Sequence, residues 1–427
     1  MISLSNKVKA LVHSPTLQVN NQVAERRAKG EPVLHMGFGE SPFPVPERLQ
    51  ESLAAAAHRK DYTAAAGVPE VRETVREYYR PLVGDVVDDM DVLIAPGSKL
   101  ILYALQAVIE GDLLLAIPSW VSYGPQAKLL GTEVIRVPTT SGAEDYQIDP
   151  QTLRQCIKDA RAKGLNPAKI ILNFPNNPTG LRMGRDNLAE LIKVCDEESI
   201  FVISDEIYGQ VAFDEEYFSM ASFGVGSVAI STGLSKHLSL GGWRFGVGFI
   251  PKNVPGLFEA LCSFISETWS CVSTPIQIAA QDAYRKFPDI EAHIGDCTRI
   301  HRLMNTYICE GLRGLGVQCP EPTGAFYNYP DFEPFRADFA RHNILTSQDL
   351  CEVLMSEYNL ASLSEAGFDG LATRLTLRLS GVDYDGAAAL AAYQRGEPLT
   401  EDFVHTYAPN LKLQIETFAA LLNKVKS

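Results

Sequence analysis

A chain of 427 residues is too long for one small core and predicts a large α/β domain with a smaller companion. Its 46% apolar and 21% charged composition is ordinary for a soluble globular protein. The formal net charge of −14 excludes the basic face that nucleic acid or an anionic membrane demands, but leaves room for a few cations around an anionic ligand.

The opening MISLSNKVKALVHS lacks the apolar run of a secretory signal, and no later stretch reaches membrane-span length, so a cytoplasmic location is expected. The eight cysteines include no CxxC pair. They read as free thiols in a reducing compartment rather than a disulfide framework or metal site.

From residue 91 short β-rich runs alternate with helical stretches. The runs are 91–96 (DVLIAP), 112–118 (DLLLAIP), 133–138 (EVIRVP), 169–175 (KIILNFP), 200–208 (IFVISDEIY), 228–235 (VAISTGLS) and 244–250 (RFGVGFI). Several are almost continuously apolar, as strands covered on both faces must be. Helical patterns such as 98–110 and 185–198 lie between them, which predicts a seven-stranded, mostly parallel sheet with helices on both faces. The last two runs are joined by HLSLGGW, too short for a helical crossover, so the seventh strand is expected to run antiparallel.

After about residue 285 the pattern changes to long helical stretches at 289–315, 347–358 and 386–393, with short strands at 325–329 and 373–380. The expected division is a large domain over 47–285 and a small α+β domain made of 1–46 and 286–427. Residues 394–413 have weak periodicity and read as an irregular insertion or a helix–loop–helix.

In an open α/β sheet, ligands bind beyond the carboxyl ends of the strands. The first run ends in Gly97, Ser98 and Lys99, a glycine turn opening a helix, which suits a phosphate or is a plain capped helix start. The fourth ends in NNPTG, a polar turn whose Asn177 amide could donate to a ligand. Asp205 ends the fifth, where a buried acid requires a partner. Lys236 follows the sixth, either as a solvent-seeking lysine or as an amine nucleophile. Arg244 opens the returning strand and could grip a phosphate bidentately. A lysine, an acid and phosphate-binding groups at one sheet edge are the set that pyridoxal 5′-phosphate (PLP) requires.

Eight stretches in this order complete the pattern: GFGESPFPVP (37–46), YTAAAGVPEVR (62–72), SWVSY (119–123), NFPNNPTG (173–180), SDEIYG (204–209), SKHLSLGGWRFG (235–246), PTGAFY (322–327) and LRLS (377–380). Together they resemble the class I/II aminotransferases of PLP fold type I, an aspartate aminotransferase-like family. The resemblance implies an aminotransferase that moves an amino group between an amino acid and a 2-oxo acid through a Lys236 internal aldimine. Another PLP reaction (elimination, cyclisation or oxidation) and a non-catalytic PLP-binding protein are the alternatives on the same fold.

It further implies Lys236 as cofactor anchor and proton shuttle, with Asp205 as the partner of the pyridine nitrogen. Asn177 and Tyr208 hold the ring oxygen, and Trp120 stacks on the ring. Gly97, Ser98, Lys99, Ser235 and Arg244 form the phosphate cup, and Tyr62 reaches the phosphate of a neighbouring subunit in a homodimer with shared sites. Arg378, helped by the Gly39 backbone, grips the substrate α-carboxylate. Arg374 competes for that role, since alternation is expected to place both arginines on one strand face. The sequence departs from the family where Glu40–Ser41–Pro42 replaces Glu-Pro-Asp, which is expected to alter the pocket's lip. It departs again where Thr232 replaces a frequent asparagine, which is expected to retune phosphate contacts, and in the long 394–413 stretch. No metal is expected.

Overall fold

The computed structural model describes residues 2–9, 11, 15–140, 146–213, 217–223 and 227–427. Seven strands form the main sheet: β1 (Met90–Ala95), β2 (Asp112–Ile117), β3 (Val134–Pro138), β4 (Pro167–Asn173), β5 (Phe201–Asp205), β6 (Val228–Gly233) and β7 (Gly246–Pro251). Their spatial order is β1-β7-β6-β5-β4-β2-β3. All run parallel except β7, which is antiparallel to both β1 and β6. The expected seven strands with one reversed are all present, each within a few residues of its predicted bounds. Helices cover both faces, so every residue of β5, β6 and β7 is buried.

Register brings chemistry to one edge. Asn173 pairs with Asp205 across β4 and β5, and Asp205 pairs with Ser231 across β5 and β6. The carboxyl ends of three strands are therefore flush. Because β7 is reversed, its entry residue Arg244 arrives at that same edge. Helix α1 (Ser98–Val108) begins there after Gly97, whose φ of 90° favours glycine.

A second core gathers around a three-stranded antiparallel sheet of β8 (Tyr327–Asn328), β9 (Leu363–Ser364) and β10 (Leu377–Ser380), with β10 central. The N-terminal segment packs against it: Leu34–His35 pairs with Leu360–Ala361, and Met36 is buried among residues such as Ile300 and Leu379. Helix α2 (Pro288–Gly314) belongs to both cores. Its Ile290 and Ile294 pack with the main sheet, while Ile300, Met304, Ile308 and Leu312 pack in the second core.

One expectation changes and one open reading resolves. The strand expected over 373–380 begins only at Leu377, so Arg374 sits in the bend before it and does not share a strand face with Arg378. The 394–413 stretch resolves as helix–loop–helix, with helices Glu401–Tyr407 and Pro409–Lys426 following Gly386–Gln394. Phe403, Val404, Leu411 and Phe418 bury in the second core; Pro398 and Pro409 interrupt the periodicity that would have announced them. Among the described residues no helix is long and apolar enough to cross a membrane, and no cluster of metal-ligating side chains occurs. All eight cysteines are free.

Candidate active site

A cavity of about 480 Å3 opens at the carboxyl edge of the main sheet. Gly39, Ser98, Lys99, Trp120, Asn177, Asp205, Tyr208, Ser235, Lys236, Arg244 and Arg378 all line it. The structure thus gathers at one place nearly every residue that the sequence singled out. Gly97 stands just behind: its φ of 90° favours glycine, and a Cβ there would meet the Arg244 guanidinium. Tyr62 does not converge with the others and is 92% exposed.

Lys236 leaves the end of β6 and turns its amine inward, where Nζ donates to the Gly39 carbonyl at 2.8 Å. Burial, then the nearby Arg378 charge, lowers its pKa to about 8. Asp205 is buried at the end of β5. One carboxylate oxygen accepts from the Tyr123 hydroxyl at 2.6 Å, the other from the Ile207 N–H at 3.3 Å. Burial pushes its pKa up to about 6, against the pull of those donors.

Next to Asp205, the Asn173 amide donates to the Asp205 carbonyl at 2.8 Å, and Asn173 Oδ1 accepts from the Asn177 N–H at 2.8 Å. Asn177 Nδ2 lies 3.4 Å from the Tyr327 hydroxyl, which stands 2.6 Å from that of Tyr208. Asn177 Oδ1 is buried with no hydrogen-bond partner among the described residues. A buried acceptor without a donor is costly unless a ligand meets it.

At the start of α1 the chain places two cations close together. Lys99 Nζ lies 4.9 Å from the centre of the Trp120 ring, and burial followed by Arg244 lowers its pKa. Arg244 adopts a left-handed backbone (φ 56°), and its guanidinium donates to the Gly241 and Pro96 carbonyls. Neither forms an ion pair with a carboxylate among the described residues, and no side chain caps α1. Two cations beside open helical N–H groups make a site for a phosphate-like dianion.

Arg378 lies on β10 and is 2% exposed. One Nη donates to the Gly37 carbonyl, and the guanidinium covers the Tyr327 ring at 4.7 Å. Its Nε is buried without a partner among the described residues. Arg374 is engaged elsewhere: it pairs with buried Asp331 at 2.5 Å and approaches Glu365 at 3.9 Å, outside the cavity. Location therefore separates the two arginines.

The family departures land unevenly. Glu40 lines the cavity rim, whereas Ser41 is buried away from it. Thr232 does not reach the phosphate-like site; it is buried with its hydroxyl 3.3 Å from that of Tyr79. Strand alternation turns Thr232 to the opposite face of the sheet from Ser231, which lies by Ser98. Sequence reasoning missed Tyr123, Asn173 and Tyr327 as cavity residues. Each lies inside a motif stretch, and a count of polar side chains within those stretches would have flagged them.

Residues 31–384 match the family profile described as "Aminotransferase class I and II". The aspartate/prephenate aminotransferase of Thermus thermophilus is 31% identical over 346 residues, 80% of this chain and 87% of that protein. The asparagine–oxo-acid transaminase of Streptococcus mutans is 28% identical, covering 86% of this chain and 92% of its own. Among solved structures, the aspartate aminotransferase from Thermus thermophilus with maleate superposes with a TM-score of 0.81 at 26% identity, over 98% of this chain and all of the other.

Proposed function

The chain belongs to the class I and II aminotransferase family, and we propose that Lys236 anchors PLP in the cavity while Arg378 receives the substrate carboxylate. It is a PLP-dependent aminotransferase that moves an amino group between an amino acid and a 2-oxo acid. Bound PLP supplies an electron sink for the pair left at the amino acid's Cα when its proton is removed.

The observation that carries the residue assignment is the convergence of a buried amine, a buried carboxylate and two phosphate-facing cations on one cavity. The orphaned Arg378 Nε supports the fit, since it is a buried donor still requiring an acceptor such as a carboxylate. Lys99, Arg244, Ser98, Ser235 and the Gly97 turn hold the phosphate. Asp205 holds a proton at the pyridine nitrogen; even with its pKa at about 6 it is ionised at neutral pH and can do so. Tyr208 and Asn177 direct hydrogen bonds at the ring oxygen, and Trp120 covers the ring face.

Arg378 offers its guanidinium to the α-carboxylate as a planar fork, beside the Gly39 backbone. Lys236, with its pKa at about 8, has enough neutral amine near pH 7 to act as nucleophile and to carry the Cα proton away and back. The relatives are named for aspartate, prephenate and asparagine. Those acids, with pyruvate, 2-oxoglutarate and oxaloacetate, are the first donors and acceptors to assay.

We also read the enzyme as a cytoplasmic homodimer. Tyr62 does not line its own cavity and is 92% exposed, which supports its reaching the phosphate of a partner subunit. Eight free cysteines accord with a reducing compartment. We divide the chain into 47–285 and 1–46 with 286–427, a reading supported by two apolar cores that share α2. Replacing Lys236 with Ala tests the central assignment: the visible absorbance of the PLP-loaded protein and its turnover should both vanish. Retention of both would overturn it.

A further inference from the structure

Ser41 stands where the family resemblance leads one to expect proline, and its side chain points away from the cavity. Ser239 Oγ donates to Ser41 Oγ at 2.7 Å, and Ser41 Oγ lies 3.3 Å from His301 Nε2. The other ring nitrogen, His301 Nδ1, lies 3.3 Å from the Tyr384 hydroxyl. Four chain segments meet in this line: the lip at 37–42, the loop just past Lys236, helix α2, and the connection after β10. The Phe43 and Phe326 rings close it off, at 4.9 and 5.0 Å from the imidazole centre.

The direction of the bonds follows from the donor inventory. With Ser239 donating to Ser41, the Ser41 hydrogen goes to Nε2, so Nδ1 carries the ring proton and donates to Tyr384. Burial holds His301 neutral, lowering its pKa to about 3, so this arrangement persists across the working pH range.

What the lip contributes to the cavity is two main-chain carbonyls. Gly39 receives the Lys236 amine and Gly37 receives the Arg378 guanidinium. Ser41 is two residues beyond the first carbonyl, and Ser239 is three residues beyond the lysine. We propose that Ser41, Ser239 and His301 form a latch that seats the Gly39 and Gly37 carbonyls on Lys236 and Arg378, making His301 a positioning residue for both cations. The inference rests on the roles given above to those two residues.

The test uses the full chain without cofactor. Lys236 is acylated with limiting acetic anhydride across a pH series, and its modification is followed by peptide mass spectrometry. Asp205 and Glu40 favour the ammonium form, while burial, Arg378 and Arg244 oppose it. The Gly39 carbonyl favours it as well, by accepting its hydrogen bond. Loosening the lip removes that acceptor, so His301→Phe and Ser41→Ala should lower the midpoint of Lys236 reactivity by about half a unit, roughly threefold more neutral amine at fixed pH.

Ser41→Thr, which keeps the hydroxyl, should retain the original midpoint. In the PLP-loaded protein the two disrupting variants should raise KM for the amino donor more than they lower kcat. Ser239→Ala serves where His301→Phe does not fold. A midpoint that stays or rises in variants folded by circular dichroism overturns the latch. A wrong assignment of Lys236 would show separately, as a visible band surviving Lys236→Ala.

Discussion

The hydroxyls of Tyr208 and Tyr327 stand 2.6 Å apart, although Tyr208 follows β5 of the main sheet and Tyr327 belongs to β8 of the second core. Asn177 donates to the Tyr327 oxygen, and either tyrosine can donate to the other; with Tyr327 as the donor, the Tyr208 hydrogen is left for a ligand. Tyr327→Phe should therefore misdirect Tyr208 and lower kcat/KM by roughly tenfold, the worth of one buried hydrogen bond. It should also move the pH at which the visible band of the loaded enzyme changes. Steady-state kinetics with a spectroscopic pH titration decides it; unchanged values in both would remove Tyr327 from the site.

The two arginines near β10 should separate in their effects. Arg378→Ala removes the candidate carboxylate grip and should raise KM for every amino donor by tenfold or more, by the order of magnitude of a charge-assisted bond. Arg374→Ala instead strands the buried Asp331 carboxylate and should cost about 3 kcal/mol of stability. Urea unfolding beside Michaelis–Menten kinetics measures both, and a large KM effect from Arg374→Ala alone would reverse the assignment.

Lys236 gives the protein a distinctive stability profile. Its pKa of about 8 in the folded chain lies below its ordinary value, so its contribution is complete only above about 10.4 and is lost as pH falls through 8. In cofactor-free protein Lys236→Met should therefore be the more stable form at pH 7, by about 3 kcal/mol at most. The gap should close between pH 8 and 10, where Asp205 has finished titrating and does not contribute. Thermal melts of both proteins at matched pH test this; a gap independent of pH would contradict it.

Tyr62 is nearly all solvent-facing in the single chain. Tyr62→Ala should leave the melting temperature of cofactor-free protein almost unchanged, within about 1 °C, as surface substitutions usually do. It should nevertheless weaken PLP retention, read as the loss of visible absorbance on dilution. Sedimentation equilibrium should give twice the chain mass. A monomer that keeps full PLP affinity would remove the shared site.

Much of this was legible because both signals are local. Apolar runs covered on two faces mark strands whatever their neighbours, and a polar residue at the end of such a run already stands at the ligand edge, as Asp205 and Lys236 do. What depended on contacts between distant segments was hidden. Nothing near Tyr327 in the chain announces Tyr208, and nothing near Ser41 announces His301. Arg374 and Arg378 are spaced for one strand face, but Arg374 lies in a bend, paired with Asp331, and the strand starts three residues later. Thr232 stands four residues before Lys236, but alternate strand residues face opposite sides of the sheet, so its side chain turns away from the phosphate-like site.

Helix α2 has its first turns packed in one core and the rest in the other. A linker between two cores lets either melt alone; a continuous helix packed in both couples them, because unfolding either core strips apolar partners from part of the helix. The two halves are therefore bound to a common unfolding transition. Any rocking of one half against the other must turn about this rod rather than about a loose joint.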